Sequence, residues 1–204
     1  RANEAGTSQG IVFGSKLFEL DRPTAKRHLD DAATAPHIRA VADATRLFNG
    51  RLSVDPNFAV DIGSCEHEAA ASKTGGAFTY LAENVLDYVR SKGDTYEGWV
   101  ERWWQPWRPR HEFFSALGRK TRMIVCSRHA ARPVFVFLSP EPPTTSWLRA
   151  LAFDDDYSFG ILQSDVHWRW AVAQGTKIGR GGDTRYTVKV WATFPWPQHP
   201  SDTQ

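Results

Sequence analysis

Apolar positions along this chain follow two rhythms, a period near 3.6 and a period of 2, and each stretch predicts its own element. "GIVFGSKLFEL" (Gly10–Leu20) has short apolar runs punctuated by glycine and predicts strand or extended chain. "DRPTAKRHLDDA" offers Asp21 as an N-cap and Pro23 in the first turn, a helix entry. In "PHIRAVADATRLF" the positions Ile38, Val41 and Leu47 mark a helical stripe that Gly50 is placed to end. "NFAVDIG" alternates as a strand, and the small, polar "SCEHEAAASKTGGA" predicts a mobile loop or an internal boundary. "FTYLAENVLDYVRSKG" gives the clearest helix, with Phe78, Leu81, Val85, Leu86 and Val89 on one face and Gly93 at its end.

Beyond it, "YEGWVERWWQPWRPRHEFFSAL" carries two helical patterns interrupted by Pro106 and Pro109. Three strands are then predicted in "RMIVCSR", "PVFVFLS" and "LRALAFD", the first two apolar enough to be buried on both faces. Helical spacing resumes through Phe159, Leu162, Val166 and Trp170, followed by a Gly-rich loop, "TKIGRGGDTR". The last predicted element is a strand in "TVKVWATFPWPQ", stopped by Pro195 and Pro197, with Phe194 and Trp196 as anchors against the core. Helices in runs and strands in runs define an α+β class, a mixed or antiparallel sheet with flanking helices. The expected organisation is one domain over residues 1–204, helical or extended to 120 and sheet-rich from 121 to 198.

Composition changes this picture in two places. Nine Trp and twelve Phe in 204 residues call for a core built on aromatic rings. The net charge of +2 hides a basic block: from Arg102 to Arg132 there are eight Lys or Arg against the single acid Glu112. Basic residues interleaved with aromatics suit a polyanion, and a merely solvated basic face is the plainer alternative. Cys65 and Cys126 have no zinc-ligand spacing and make no disulfide framework, so a reducing cytoplasm is the expected compartment. Cys126 reads as a small buried hydrophobe. No apolar run approaches membrane-spanning length, no membrane partner is expected, and the start on Arg suggests a piece excised from a longer chain.

Catalytic signatures are weak. The carboxylates Asp154, Asp155 and Asp156 could hold a divalent metal, yet they directly precede a helical run, where negative charge offsets the helix dipole. "IGRGGDTR" lacks P-loop spacing, and His167 beside Trp168 suits a structural role better than that of a base. No catalytic or metal-binding residue is therefore assigned. Candidates for binding are more numerous. Arg108, Arg110, Ser127, Arg128, Arg132 and Lys177 lie where they can meet a nucleic-acid backbone. Arg180, Asp183, Arg185, Gln163 and Ser164 are polar groups able to read base edges.

Three blocks in this order, "RMIVCSRHAARPVFVFLS", "LAFDDDYSFGILQSDVHWRW" and "TRYTVKVWATFPWPQ", resemble the target-recognition domain of MmeI-like DNA methyltransferases. These are single-chain restriction–modification enzymes whose pattern includes F-x-D-D-Y-S-F-G-x-L-Q-S-x-x-H-W-x-W and closes on R-Y-T and T-F-P-W-P. "WWQPWRPR", "LFNGR" and "FAVDIG" are similar to the family's upstream segments, so the likeness runs from Gly10 to Gln198.

The resemblance implies a reader of double-stranded DNA attached to a methyltransferase domain in the same parent chain, acting on adenine N6 with S-adenosylmethionine. This chain has neither the family's N-P-P-(Y/F) nor its Gly-rich cofactor motif, so no cofactor is expected in it. The family's specificity loop corresponds to Gly179–Arg185, which makes Arg180, Asp183 and Arg185 the implied base readers; the loop is shorter here and carries glycine where Lys or Glu often stands. Two other readings compete: a metal-dependent nucleic-acid enzyme using Asp154–Asp156, and a protein–protein module using the aromatic surface.

Overall fold

The computed structural model describes residues 7–93, 95, 96, 98–118, 120–178 and 183–197. The chain begins with β1 (Thr7–Gln9) and β2 (Glu19–Leu20), then α1 (Arg22–Leu29), β3 (Ile38–Val41), α2 (Ala44–Phe48) and β4 (Asn57–Val60). Helices α3 (Glu68–Ala71), α4 (Gly76–Asn84), α5 (Leu86–Ser91) and α6 (His111–Leu117) follow. Next come β5 (Met123–Ser127), β6 (His129–Ala130), β7 (Phe135–Leu138) and β8 (Leu148–Leu151). The chain closes with α7 (Asp156–Gln163), α8 (Asp165–Gln174), β9 (Thr176–Ile178), β10 (Asp183–Arg185) and α9 (Val188–Ala192).

Strands form three sheets, ordered β1-β8-β5-β7, β6-β10-β9 and β2-β4-β3, and every pairing of named strands is antiparallel. The α+β class with helices flanking antiparallel sheets is thus established. The four-stranded sheet is covered on both faces. Met123 and Val125 of β5 pack with Phe113 and Leu117 of α6, while Ile124 and Cys126 face Leu162, Ala171, Val190 and Trp191 of the C-terminal helices. That double burial explains the unbroken apolar run of β5. The same run in β7 has a different cause: β7 is an edge strand, buried at Phe135 and half-buried beyond it, and the fully buried partner is β8.

The N-terminal core gathers Phe18, Val60, Leu81, Val85, Val89, Trp99, Trp103 and Trp104. Trp99 and Trp104 donate their indole N–H to the carbonyls of Gln105 and Cys65, both at 2.9 Å, so the rings are buried without an orphaned donor. The aromatic surplus of the sequence is therefore largely core. Caps fix the helix starts: Asp21 accepts from Thr24 N at 2.8 Å, Asp43 from Arg46 N at 3.0 Å and Ser164 from His167 N at 3.2 Å.

Elements that differ from the sequence expectation begin with the single helix expected over residues 78–93, which breaks at Val85 into α4 and α5. Residues 38–41 are strand, because β-branched Ile38 and Val41 pair with β4 and the Asp43 cap starts a new helix instead of continuing one. The expected loop of residues 64–77 holds α3, ending on buried Ala71, and a 3-10 turn over Ser72–Thr74 that buries Thr74. Helical spacing after Asp156 breaks at Ser164, which caps α8 and leaves Val166 70% exposed. The final strand is also a helix. Val190, Trp191 and Phe194 are buried at helical spacing, and strand pairing has already ended with β10 at Arg185. The aromatic stop anchors as expected: Trp196 stacks on Phe153, with centroids 5.9 Å apart, and Phe194 meets the His167 ring at 4.7 Å.

Candidate functional site

One strand junction collects the basic residues. β5 ends at Ser127, and the chain turns straight into β6, where the Ser127 hydroxyl donates to the His129 carbonyl at 2.8 Å. Arg128 sits in that turn, its N–H bonded to the Trp147 carbonyl and its carbonyl accepting from Tyr186 N, both at 2.9 Å. β10 pairs with β6, setting Arg185 opposite His129, and β9 pairs with β10, setting Lys177 opposite Thr184. Arg185 Nε donates to His129 Nε2 at 3.2 Å, and Lys177 Nζ donates to the Thr184 hydroxyl at 2.9 Å. A guanidinium can only donate, so His129 Nε2 must be unprotonated. Burial, then Arg128 and Arg185, holds the His129 pKa below its ordinary value, which favours that state.

Arg108 and Arg110 reach the same end of the sheet by another route. Arg108 exchanges two backbone hydrogen bonds with Val12, each 3.0 Å, and two residues earlier Gly10 N bonds the Leu148 carbonyl at 3.3 Å. Gly10 is required there, since a Cβ would stand 2.3 Å from the carbonyl oxygens of Thr144 and Thr145. Arg110 is left-handed at φ 63°, the one non-glycine residue with positive φ among those described. An open cleft of about 680 Å³ lies beside it, its polar lining Thr7, Ser8, Arg108, Arg110, His111 and the single acid Glu112. The Arg108 guanidinium lies 4.2 Å from the Trp107 ring centroid.

Arg149, on β8, joins the two routes. It stands opposite Cys126 and Gln9 in the sheet and is only 4% exposed. Burial lowers its pKa to about 10, and Arg128 and Arg110 press it in the same direction. Arg110 is lowered by burial and by Arg108, and Arg128 by burial and by Arg185. The guanidiniums of Arg108, Arg110, Arg149, Arg128 and Arg185 therefore form a row, each repelling the next. No ion pair among the described residues includes any of the five. The Nε atoms of Arg110, Arg128 and Arg149 are buried with no hydrogen-bond partner.

The sequence candidates separate into groups on this frame. Arg108, Arg110, Ser127, Arg128, Lys177 and Arg185 come together, and Asp183 is exposed at the start of β10. Arg180 lies outside the described residues. Arg132 is held over the Trp168 ring at 4.7 Å, on α8. Gln163 and Ser164 have internal tasks: both amide atoms of Gln163 bond the backbone of Phe135, at 3.1 and 3.2 Å, and the Ser164 hydroxyl caps α8. Arg149, His129 and the 60% exposed Trp147, whose ring meets that of His129 at 5.9 Å, were not singled out by the sequence. The signal for Arg149 was a charge inside the otherwise apolar "LRALAF".

The alternative chemistry finds its atoms engaged. Asp155 caps α7 through Ser158 N at 2.7 Å, Asp154 pairs with Lys120 at 2.6 Å, and Asp156 pairs with Arg122 at 3.0 Å. Among the described residues no three of His, Cys, Asp and Glu are grouped to hold a metal ion. His167 is fully buried between a carbonyl and a phenol: Nδ1 donates to Leu162 O and Nε2 accepts from the Tyr186 hydroxyl, both at 3.0 Å. Burial drives its pKa down to about 4, so it is neutral and structural.

Fold and site together define an α+β domain with antiparallel sheets, flanking helices and an uncompensated arginine row at a strand junction. No family model and no curated protein matches the sequence. A solved structure of the type IIL restriction–modification enzyme MmeI in complex with DNA matches in fold, with a TM-score of 0.76 and 11% identity across 97% of this chain. The chain spans 25% of the length of that protein. No helix among the described residues is long and apolar enough to cross a membrane.

Proposed function

We propose that this chain is the double-stranded-DNA recognition domain of a restriction–modification enzyme whose other part is a DNA adenine-N6 methyltransferase. The observation that carries the reading is the row of five guanidiniums without a carboxylate partner. Such a row has no use in a free domain and suits a ladder of phosphates, since each neutralised phosphate releases a counterion. The shared fold with a DNA-bound restriction–modification enzyme supports it, as do the three sequence blocks.

In this reading Arg108, Arg110, Arg128 and Lys177 hold the backbone and set the register. Asp183 and Arg185 read base edges from β10: a carboxylate accepts from cytosine N4, and a guanidinium donates to guanine O6 and N7, each contact discriminating by ~1–3 kcal/mol. Arg180, in the loop before Asp183, is a third proposed reader. His129 holds Arg185 at a fixed angle through its Nε2. In this reading S-adenosylmethionine is bound by the methyltransferase part.

The test is selection of duplexes from a randomised pool by the purified chain. A recurring short motif is expected, and Asp183→Ala should relax it at one base pair while binding persists. Recovery of random sequence by both proteins would refute base reading. Methyl transfer by this chain alone would refute the division of labour.

A further inference from the structure

Arg149 is the most anomalous side chain among the described residues. It occupies a strand bonded on both sides, by β1 and by β5, and it stands on the face that carries Ile124, Cys126 and Leu151 into the core. An apolar side chain would be the ordinary occupant of such a position. Its Nε has no partner, and its guanidinium enters no hydrogen bond or ion pair among the described residues. The groups that favour its charge, Cys126 and Tyr186, are themselves neutral at pH 7: burial pushes the Cys126 thiol up to about 12 and the Tyr186 phenol well above its ordinary value. At about 10 the guanidinium remains charged at neutral pH, so a full cation is held with no counter-charge.

Its surroundings repeat the pattern. Arg128 lies diagonally across from it at the end of β5, where the Trp147 carbonyl fixes its backbone. Arg110 approaches from the strand edge beside β1, held in a left-handed conformation that a side chain adopts only under constraint. Both also keep a buried Nε with no partner. Three neighbouring guanidiniums with unused Nε donors and no ion-pair partner among the described residues suit an oxyanion able to take several N–H donors at once, such as a phosphate.

We propose that Arg149, with Arg110 and Arg128 as walls, is the floor of a phosphate pocket that takes one phosphodiester of the bound duplex deeper than the surface contacts do. The DNA identity of that phosphate rests on the function proposed above; the oxyanion pocket does not. A phosphate seated there would align β8, β5 and the Trp107–Arg110 segment at once, making it the register point for the β6-β10-β9 reading sheet.

The test compares the full chain with Arg149→Met and Arg149→Lys. The Met variant replaces a buried unpaired cation by an apolar side chain of similar reach, so its melting temperature should equal or exceed that of wild type. Inorganic phosphate, titrated against chloride at constant ionic strength, should raise the wild-type melting temperature and leave that of Arg149→Met unchanged. Duplex affinity of Arg149→Met should fall at least tenfold with a shallower salt slope, and Arg149→Lys should recover part of both.

Equal phosphate shifts in wild type and Arg149→Met would overturn the pocket, as would unchanged duplex affinity and slope in the Met variant. If Arg149→Met fails to fold, the Lys variant decides: phosphate shifts and duplex affinity both matching wild type would overturn the role of the fork. A phosphate response in a protein that binds no duplex would sustain the oxyanion pocket and overturn the DNA reading.

Discussion

Two sets of arginines in this molecule are treated in opposite ways. Three near the N-terminal sheet are matched: Arg22 with Asp55, Arg39 with Asp61 and Glu141, Arg46 with Asp43 and Asp55. Those at the strand junction, Arg108, Arg110, Arg128, Arg149 and Arg185, enter no ion pair among the described residues, and three of them keep a buried Nε without a partner. Folding alone explains the first set, because each charge meets its opposite at modest cost. It does not explain the second, because a buried charge with no partner destabilises the chain that carries it. Charges left uncompensated inside a fold are charges kept for something outside it.

The contrast is broken most directly by removing the junction. Arg110→Ala, Arg128→Ala and Arg185→Ala combined should weaken duplex binding by about 4 kcal/mol or more, since charge-assisted hydrogen bonds contribute roughly 1.5–3 kcal/mol each. Fluorescence anisotropy at fixed salt measures this, and a change below fivefold would place the DNA surface elsewhere. Stability should depend on acid through a residue just behind the junction. His167 is held at about 4 against an ordinary 6.5, a difference equivalent to about 3 kcal/mol. The folded value is the lower one, so the unfolded chain takes up the proton first. That stability is present in full above pH 6.5 and is lost as pH falls towards 4. Denaturation midpoints across this window should drop in wild type and drop less in His167→Gln; parallel curves would remove His167 from the account.

A smaller effect is expected at the base of the β9–β10 hairpin. A Cβ on Gly175 would stand 2.2 Å from Thr184 Cγ2 and 2.6 Å from the Ala171 carbonyl. Gly175→Ala should therefore cost about 1–3 kcal/mol of stability and weaken discrimination between duplexes, because Thr184 lies between Asp183 and Arg185. A variant that melts as wild type does would show that the hairpin gives way freely. The smallest effect sharpens the other side of the contrast. Arg22→Ala breaks an exposed pair and should change stability by no more than about 1 kcal/mol and duplex affinity not at all. A loss of affinity there would mean that paired arginines also serve the ligand.

Much of the fold was legible because local chemistry and burial agreed. Asp21 with Pro23 and the run in "RMIVCSR" each became the element that their pattern predicts, and the stripe through Leu81, Val85 and Val89 became buried helical chain divided at Val85. Two of the failures share one cause, a short apolar run that fits both periods. Ile38 and Val41 suit a helix by spacing and a strand by β-branching, and pairing with β4 decides for the strand. Val190, Trp191 and Phe194 suit both as well, and burial beside α8 decides for a helix. The candidate site was legible where arginines border prolines and turns, as at Arg108, Arg110 and Arg128. Gln163 shows the limit: an exposed-looking amide in a helix is committed to the Phe135 backbone, a contact 28 positions away that no local pattern carries. Arg149 shows the converse, a charge concealed in a strand that otherwise reads as core.

The central claim is that the unpaired row faces phosphates, and salt tests it. Each phosphate neutralised on a duplex should contribute about −0.9 to the slope of log affinity against log salt. Three to five contacts from the row predict a slope of about −3 to −5 for the wild-type chain between low and physiological salt, reduced by roughly one for each arginine of the row removed. A slope near zero, or one unchanged when Arg110, Arg128 and Arg185 are replaced, would contradict the account.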